Sequence, residues 1–411
     1  MDISIFIILI ISIFLIIELL IFYILRFVNK KFQWLIISKD KEPHLSKIGL
    51  EKFFTHGYDS EFGWIRKPNT HHDENGKYGK TRWNINDHGA RVNPTFDSKI
   101  SKISCFGDSF AFSRQVNDNE TWLHHLSSLK DSNISNFGVG NYGIDQALLR
   151  LKRDYEIHKP EIVLLAVVPD TISRIVSMWK HYYEYGNTFG FKPRYIISNE
   201  NELTLIKNPI NNESKFFEYK HHLKFIQEND FFYNKKFRQE ILHFPYSLTI
   251  FKNFPRSFSI ISSVLKLHFG EKSEKITDEM RWNPMKIIMR QNLSWRVKLY
   301  KDQKTVDLFS KIIDDYIGFA NSKNFLPILI FLPQKDDVNY VKNNFHFYES
   351  FLKKITGRKN LIIIDTLNEL SKDPNLDDYY SDNNEYGGHF SKEGNEKIAS
   401  IIYGKLKHYN L

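Results

Sequence analysis

Apolar and polar positions are distributed very unevenly along this chain. Residues 3–25 are apolar apart from Ser4, Ser12 and Glu18. A run of that length matches the ~20 residues a helix needs to cross a ~30 Å hydrocarbon core. Further on the pattern changes to a regular alternation. A strand is expected over residues 100–106, ending in Gly107, then a helix over 120–129 with Trp122, Leu123, Leu126 and Leu129 at helical spacing. A second strand over 133–137, a Gly-rich turn and a helix over 145–155 lead to a nearly all-apolar run at 161–168. Such runs are strands buried on both faces of a parallel sheet. Two more lie at 327–332 and 360–365, each after a helical pattern, and a helix over 392–408 follows. The alternation predicts a doubly wound α/β domain with a parallel sheet.

The same pattern divides the chain into an anchor (1–28), a juxtamembrane stretch and N-terminal extension (29–98), and the α/β domain (99–411). A large insertion follows the third strand, at about 171–307. It holds a hairpin over 194–205 turning at 198–201, and several aromatic-rich helical stretches. A cleaved leader fits the first segment poorly: it opens with Asp2, exceeds the ~7–15 apolar residues of a signal peptide, and has no small-x-small site behind it. Arg26, Lys30, Lys31, Lys39 and Lys41 follow the span and nothing basic precedes it. The positive-inside rule then puts the soluble part on the cytoplasmic side; otherwise it is periplasmic or extracellular. Glu18 is costly against lipid and calls for a partner helix or a protonated carboxyl.

Composition narrows the function classes. Of 411 residues 42% are hydrophobic, which excludes a disordered tail protein. Lys and Arg number 57 against 48 acids, a net charge of +9. The cations are scattered and partly gathered behind the span, so no nucleic-acid partner is expected. Cys105, the single cysteine, excludes a disulfide scaffold and a thiol-ligated cluster. It sits in the strand before Gly107, where burial is expected.

Candidate chemistry gathers where predicted strands end, the rim at which open α/β sheets bind ligands. Phe106-Gly107-Asp108-Ser109-Phe110 places a tight turn between a strand and a helix, presenting the Ser109 hydroxyl at the rim near a helix start. The second strand runs into Asn136-Phe137-Gly138-Val139-Gly140-Asn141-Tyr142-Gly143, and Gly387-Gly388-His389 precedes the last helix.

These blocks resemble the SGNH (GDSL-type) hydrolase superfamily, in particular a bacterial membrane-anchored subgroup. The likeness takes in Gly57 to Trp64, Asn86 to Arg91, Val116 to Trp122, Tyr142 to Leu149 and Lys192-Pro193-Arg194-Tyr195. It implies a flavodoxin-like three-layer α/β/α fold and acyl transfer. Ser109 would be the nucleophile, His389 its base, Gly138 the oxyanion-hole glycine with the Ser109 N–H, and Asp108 a shaper of the turn. Two positions depart from the family. Val168-Pro169-Asp170-Thr171 stands where the third block ends in Asn-Asp, so an oxyanion donor is missing, with Asn141 as the candidate replacement. Tyr386 stands where the family has an Asp three residues before the His, leaving Asp382 or Glu385 as candidate orienters of His389.

The resemblance implies a membrane-anchored serine esterase or O-acyl transferase acting on an acylated carbohydrate or lipid-linked glycan. The alternative is a catalytically silent glycan-binding or scaffold protein in cell-envelope polysaccharide assembly. Arg174 could hold an anionic group, and Trp179, His181, Tyr182, Tyr183 and Tyr185 form an aromatic run able to stack on a sugar. No cofactor and no metal is expected. Gly138-x-Gly140-x-x-Gly143 imitates a dinucleotide fingerprint, but Glu161 begins the next strand instead of ending it. His71-His72-Asp73 and His124-His125 are adjacent residues, a spacing that on a helix points to different faces.

Overall fold

The computed structural model describes residues 3–31, 42–97, 101–184, 186–272, 278–383 and 386–411, with backbone alone for 28–31, 271–272 and 278–285. Residue 100, Lys39, Lys41, Tyr185 and Glu385 lie outside the described residues, as do the side chains of Lys30 and Lys31. The chain forms two compact units. One comprises Met1–Ser46, Trp179–Gly190 and Glu218–Asn292; the other Lys47–Met178, Phe191–Phe217 and Leu293–Leu411. Residues 171–307 are thus shared between both.

The larger unit is the α/β domain. Its strands are β1 (Ile103–Gly107), β2 (Ile134–Asn136), β3 (Ile162–Val167), β4 (Leu326–Phe331) and β5 (Ile362–Asp365). The sheet is parallel and runs β5-β4-β3-β1-β2. In sequence numbering that is the 2-1-3-4-5 order of flavodoxin-like folds. Helix α1 (Ser109–Phe112) is a single turn. It is followed by α2 (Trp122–Lys130), α3 (Ile144–Asp154), α4 (Gln303–Lys323) and α5 (Lys392–His408). Residues 163–167 and 327–331 are all buried, as expected of central strands flanked by helices on both faces. Cys105 is buried in β1, and burial pushes its thiol pKa up.

The N-terminal extension is part of this domain. The hairpin of His71–Gly76 and Gly79–Asn84 packs against α1 and the loop after it, Trp83 on Phe112 and Glu74 on Gln115. Arg91, fully buried, pairs with Asp118 at 2.8 Å and donates to the carbonyls of Phe112, Ser113 and Val116. One guanidinium therefore fixes the whole loop that follows α1. The strands Arg194–Ile197 and Leu203–Ile206 form the expected hairpin.

The smaller unit holds the helix Ile3–Lys31, whose stretch Ile3–Phe27 is long and apolar enough to cross a membrane. Glu18 accepts hydrogen bonds from the backbone N–H groups of Tyr246 and Ser247, so its partner is a helix start in the same unit. Trp179, His181, Tyr182, Tyr233 and Phe237 line a cavity of about 210 Å³ with Glu42 and Gln227.

Candidate active site

The site grows from the carboxyl end of β1. A side chain at Gly107 would collide with the Ala166 carbonyl of β3, so only glycine lets the two strands approach there. Asp108 then caps α1: its Oδ1 accepts from the Phe110 N–H (2.8 Å) and its Oδ2 from the Val168 N–H (2.8 Å). Burial raises its pKa, and Arg174 at 3.4 Å opposes the rise. Asp108 thus ties the turn to the end of β3. Ser109, 6% exposed, is left at the rim. Among the described residues its Oγ has no hydrogen-bond partner; catalytic hydrogen bonds commonly tighten only once substrate is bound.

The turn after β2 lies against Ser109. Gly138 must be glycine, because a Cβ would strike the backbone of Phe112 and Ala111. Its N–H, however, donates to Asn136 Oδ1 at 3.0 Å and is not offered to an oxyanion as expected. The next two residues differ. Gly140 is held by Trp64, whose indole N–H donates to the Gly140 carbonyl at 2.9 Å, and Asn141 takes a left-handed φ of 67°. Neither backbone N–H has a partner among the described residues. The point where a Gly140 side chain would begin is 3.9 Å from Ser109 Cβ.

His389 comes from the loop before α5. Gly388 has φ 66°, and a side chain there would meet Ser381 and Asp382, so glycine is needed for the loop to close. The His389 ring lies 4.9 Å from the ring of Phe110, the residue after Ser109. Its Nδ1 faces Gln115 Oε1 at 3.0 Å, and its backbone N–H donates to the same oxygen at 3.0 Å. Of the two expected acids, Glu385 lies outside the described residues. Asp382 makes no bond to the His389 ring among the described residues, and Tyr386 instead accepts from Gln334 Nε2 at 2.9 Å.

Gln115 is the residue that sequence reasoning missed. It belongs to no periodic element and sits at φ 68°, with Ser113 nearby at φ 61°. Left-handed backbone at non-glycine residues is held by surrounding contacts. Here Glu74 of the hairpin supplies them, accepting from the Gln115 N–H (2.8 Å) and from Arg114 (2.6 Å). Burial alone would raise the Glu74 pKa, but Arg114 and these hydrogen bonds hold it low. The available signal was proximity: Gln115 immediately precedes the family-like run Val116 to Trp122.

The surroundings are cationic. Burial, then Arg114, Arg174 and Arg66, push the His389 pKa well below its ordinary value, so the ring is neutral near pH 7. Asp170, in the segment that departs from the family, is paired with Arg174 (3.2 Å) and Arg296 (3.3 Å). Arg174 is buried, holding Asp108, Asp170 and the Tyr142 carbonyl. Trp179 and Tyr182 fall in the other unit.

No family model and no curated protein matches the chain. Among solved structures it is similar to a lipase/acylhydrolase from Enterococcus faecalis, with 13% identity and a TM-score of 0.35 over 75% of this chain and 96% of that one. It is also similar to an acetyl xylan esterase (12%, TM-score 0.36, 74% and 98%) and to a psychrotrophic esterase from Pseudoalteromonas (13%, TM-score 0.31, 75% and 97%). These likenesses are of fold alone. At such identities its chemistry is read from its own side chains.

Proposed function

We propose that the protein is an SGNH-type serine acyl hydrolase or O-acyl transferase, anchored by the helix Ile3–Lys31 and acting on an acylated carbohydrate or lipid-linked glycan. The observation that carries this reading is the Gln115–His389 contact. An amide oxygen on Nδ1 selects the tautomer with its proton there and leaves Nε2 as the base. Ser109 Oγ attacks the ester carbonyl carbon while Nε2 takes its proton. The backbone N–H of Ser109, with those of Gly140 and Asn141, receives the developing oxyanion. His389 returns the proton to the leaving alkoxide, giving an acyl-enzyme and a free alcohol. Water or an acceptor hydroxyl then gives its proton to His389 and attacks the acyl carbon, and Ser109 recovers its proton as the product leaves.

The carbohydrate part of the reading comes from the resemblance, and the acetyl xylan esterase among the similar structures is in keeping with it. The test is labelling of the full-length protein in detergent with a fluorophosphonate probe, alongside turnover of short-chain acyl esters. Labelling and turnover are expected, and Ser109→Ala abolishes the first and lowers the second by ~10⁴-fold or more. Turnover unchanged in Ser109→Ala would overturn the nucleophile assignment. An unlabelled protein that still binds polysaccharide fragments would instead favour the silent scaffold.

A further inference from the structure

We infer that Arg66 receives an anionic group of the substrate, so that the ester opened at Ser109 belongs to a molecule bearing a carboxylate or a phosphate close to its acyl group. This rests on the acyl-transfer reading above and narrows it. The other guanidinium groups described around the site are engaged: Arg114 by Glu74, Arg174 by Asp108 and Asp170, Arg91 by Asp118 and three carbonyls. Among the described residues Arg66 has no hydrogen-bond acceptor and no carboxylate within ion-pair distance; Glu74, held by Arg114, acts on it only from farther off. Ring faces hold it, 4.2 Å over Trp83 and 4.7 Å over Phe112. Stacking orients a planar guanidinium but leaves its N–H edges unused.

Those edges border the reacting centre. The vacant point beside Gly140, 3.9 Å from Ser109 Cβ, is 3.8 Å from Arg66 Nη2. Ser109 and Arg66 therefore flank the same face of Gly140, and a substrate lying over that glycine meets both. Burial, together with Arg114 and against Glu74, pushes the Arg66 pKa down to about 10, so the group stays cationic at neutral pH. The group is half-buried, its nearest described carboxylate is committed to Arg114, and its N–H fork matches carboxylate or phosphate oxygens.

The experiment compares acetyl glucose, acetyl glucuronate and acetyl glucose 6-phosphate as substrates of the full-length protein. At least one acidic ester is expected to exceed the neutral one in kcat/KM by tenfold or more, and which one does so tells carboxylate from phosphate. Arg66→Gln should bring the acidic-to-neutral ratio near one, and Arg66→Lys should keep part of it. A wild-type ratio below twofold, or one that survives Arg66→Gln, overturns the inference. If no ester turns over and Ser109 is unlabelled, the acyl-transfer reading fails instead. Calorimetric titration of glucuronate and glucose 6-phosphate then decides the anion site alone: binding lost in Arg66→Gln keeps it, and equal or absent binding in both proteins removes it.

A second inference comes from the smaller unit. We propose that helices Tyr246–Lys252 and Phe254–Lys272 dip into the bilayer beside the span, with lipid hydrocarbon as the partner of their exposed face. Glu18 takes the N–H groups of Tyr246 and Ser247, the latter at 2.9 Å, which places that helix start at the level of residue 18. From Glu18 to Arg26 the span covers about 12 Å at ~1.5 Å per residue. Contacts continue on both sides: Phe14 with Phe244, Phe22 with Tyr246, Phe27 with His268, and Leu25 in a buried cluster with Leu242, Ile260 and Val264. The face turned away from the span carries Leu248 (55% exposed), Phe251 (77%), Phe254 and Phe258. Water would disfavour that patch, whereas hydrocarbon at this depth covers it.

Single cysteines at Ile10, Leu248, Phe251, Phe258 and Tyr409, carrying an environment-sensitive fluorophore, test this in full-length protein reconstituted with brominated phosphatidylcholine. Buried Cys105 leaves labelling to the introduced thiols. Quenching by the brominated chains and protection from aqueous iodide are expected at Ile10, Leu248, Phe251 and Phe258, with the reverse at Tyr409. Labels at 248, 251 and 258 that behave like Tyr409 while Ile10 is quenched overturn the inserted pair. An Ile10 label open to iodide overturns the span as well.

Discussion

At the scale of single residues, the Gln115–His389 pair decides how the candidate base behaves. Gln115→Ala removes the acceptor that fixes the ring, and kcat is expected to fall by ~10- to 100-fold, less than the ~10⁴-fold seen when a triad acid is exchanged for an amide. Gln115→Glu puts a carboxylate on Nδ1, stabilises the imidazolium, and moves the acid limb of the pH–rate profile upward. A merely structural role would lower activity without moving that limb. In the unaltered protein His389 is held neutral by burial and by Arg114, Arg174 and Arg66, so the acid limb of kcat/KM should lie below pH 6.5. Stability has the same sign. A histidine whose pKa is lower folded than unfolded binds fewer protons when folded. Its contribution is complete above about pH 6.5 and is lost as pH falls toward the folded value, which denaturant midpoints across pH 4–7 would report.

At the scale of elements, the turns after β1 and β2 are fitted backbone to backbone. Gly138→Ala puts a methyl group into the backbone of Phe112 and Ala111, and overpacking of this kind costs about 1–3 kcal/mol. A lowered urea midpoint and a displaced Ser109 are expected together, read by denaturation and by the rate of fluorophosphonate labelling. The hairpin of His71–Gly76 and Gly79–Asn84 matters through Glu74. Glu74→Gln keeps a side chain of the same shape but weakens the hold on Arg114 and Gln115, so it should reproduce part of the Gln115→Ala loss in kcat.

At the scale of the whole molecule, a buried charge network joins distant segments. Arg296 meets Asp170 after β3 at 3.3 Å, Asp337 after β4, and Asp336 at 3.7 Å. Burial, opposed by Arg296, pushes the Asp336 pKa up. Arg296→Met leaves Asp336 and Asp337 buried without their cation, while Asp170 keeps Arg174, and a loss of about 3–5 kcal/mol is expected. Denaturation at pH 8 and pH 6 checks it, with a smaller loss at pH 6, where protonation relieves the uncompensated carboxylates.

The sequence by itself determined what depends on local period and chain order. The apolar run of residues 3–25 showed a helix long enough for a span, the buried strands showed as unbroken apolar stretches, and α5 was readable to its last residue. Ser109 and His389 were legible because each stands next to a glycine turn at a strand or helix boundary. The tertiary structure decided what depends on meeting across sequence. Gln115 reaches His389 over 274 positions, Glu18 finds its acceptor role 228 residues away, and Asp170 is neutralised by Arg174 and Arg296. Periodicity records which face of an element is buried, but a single hydrogen bond between two loops leaves no period. The Gly138 N–H was misjudged for the same reason: a motif gives the residue, and only the fold says which neighbour its proton meets.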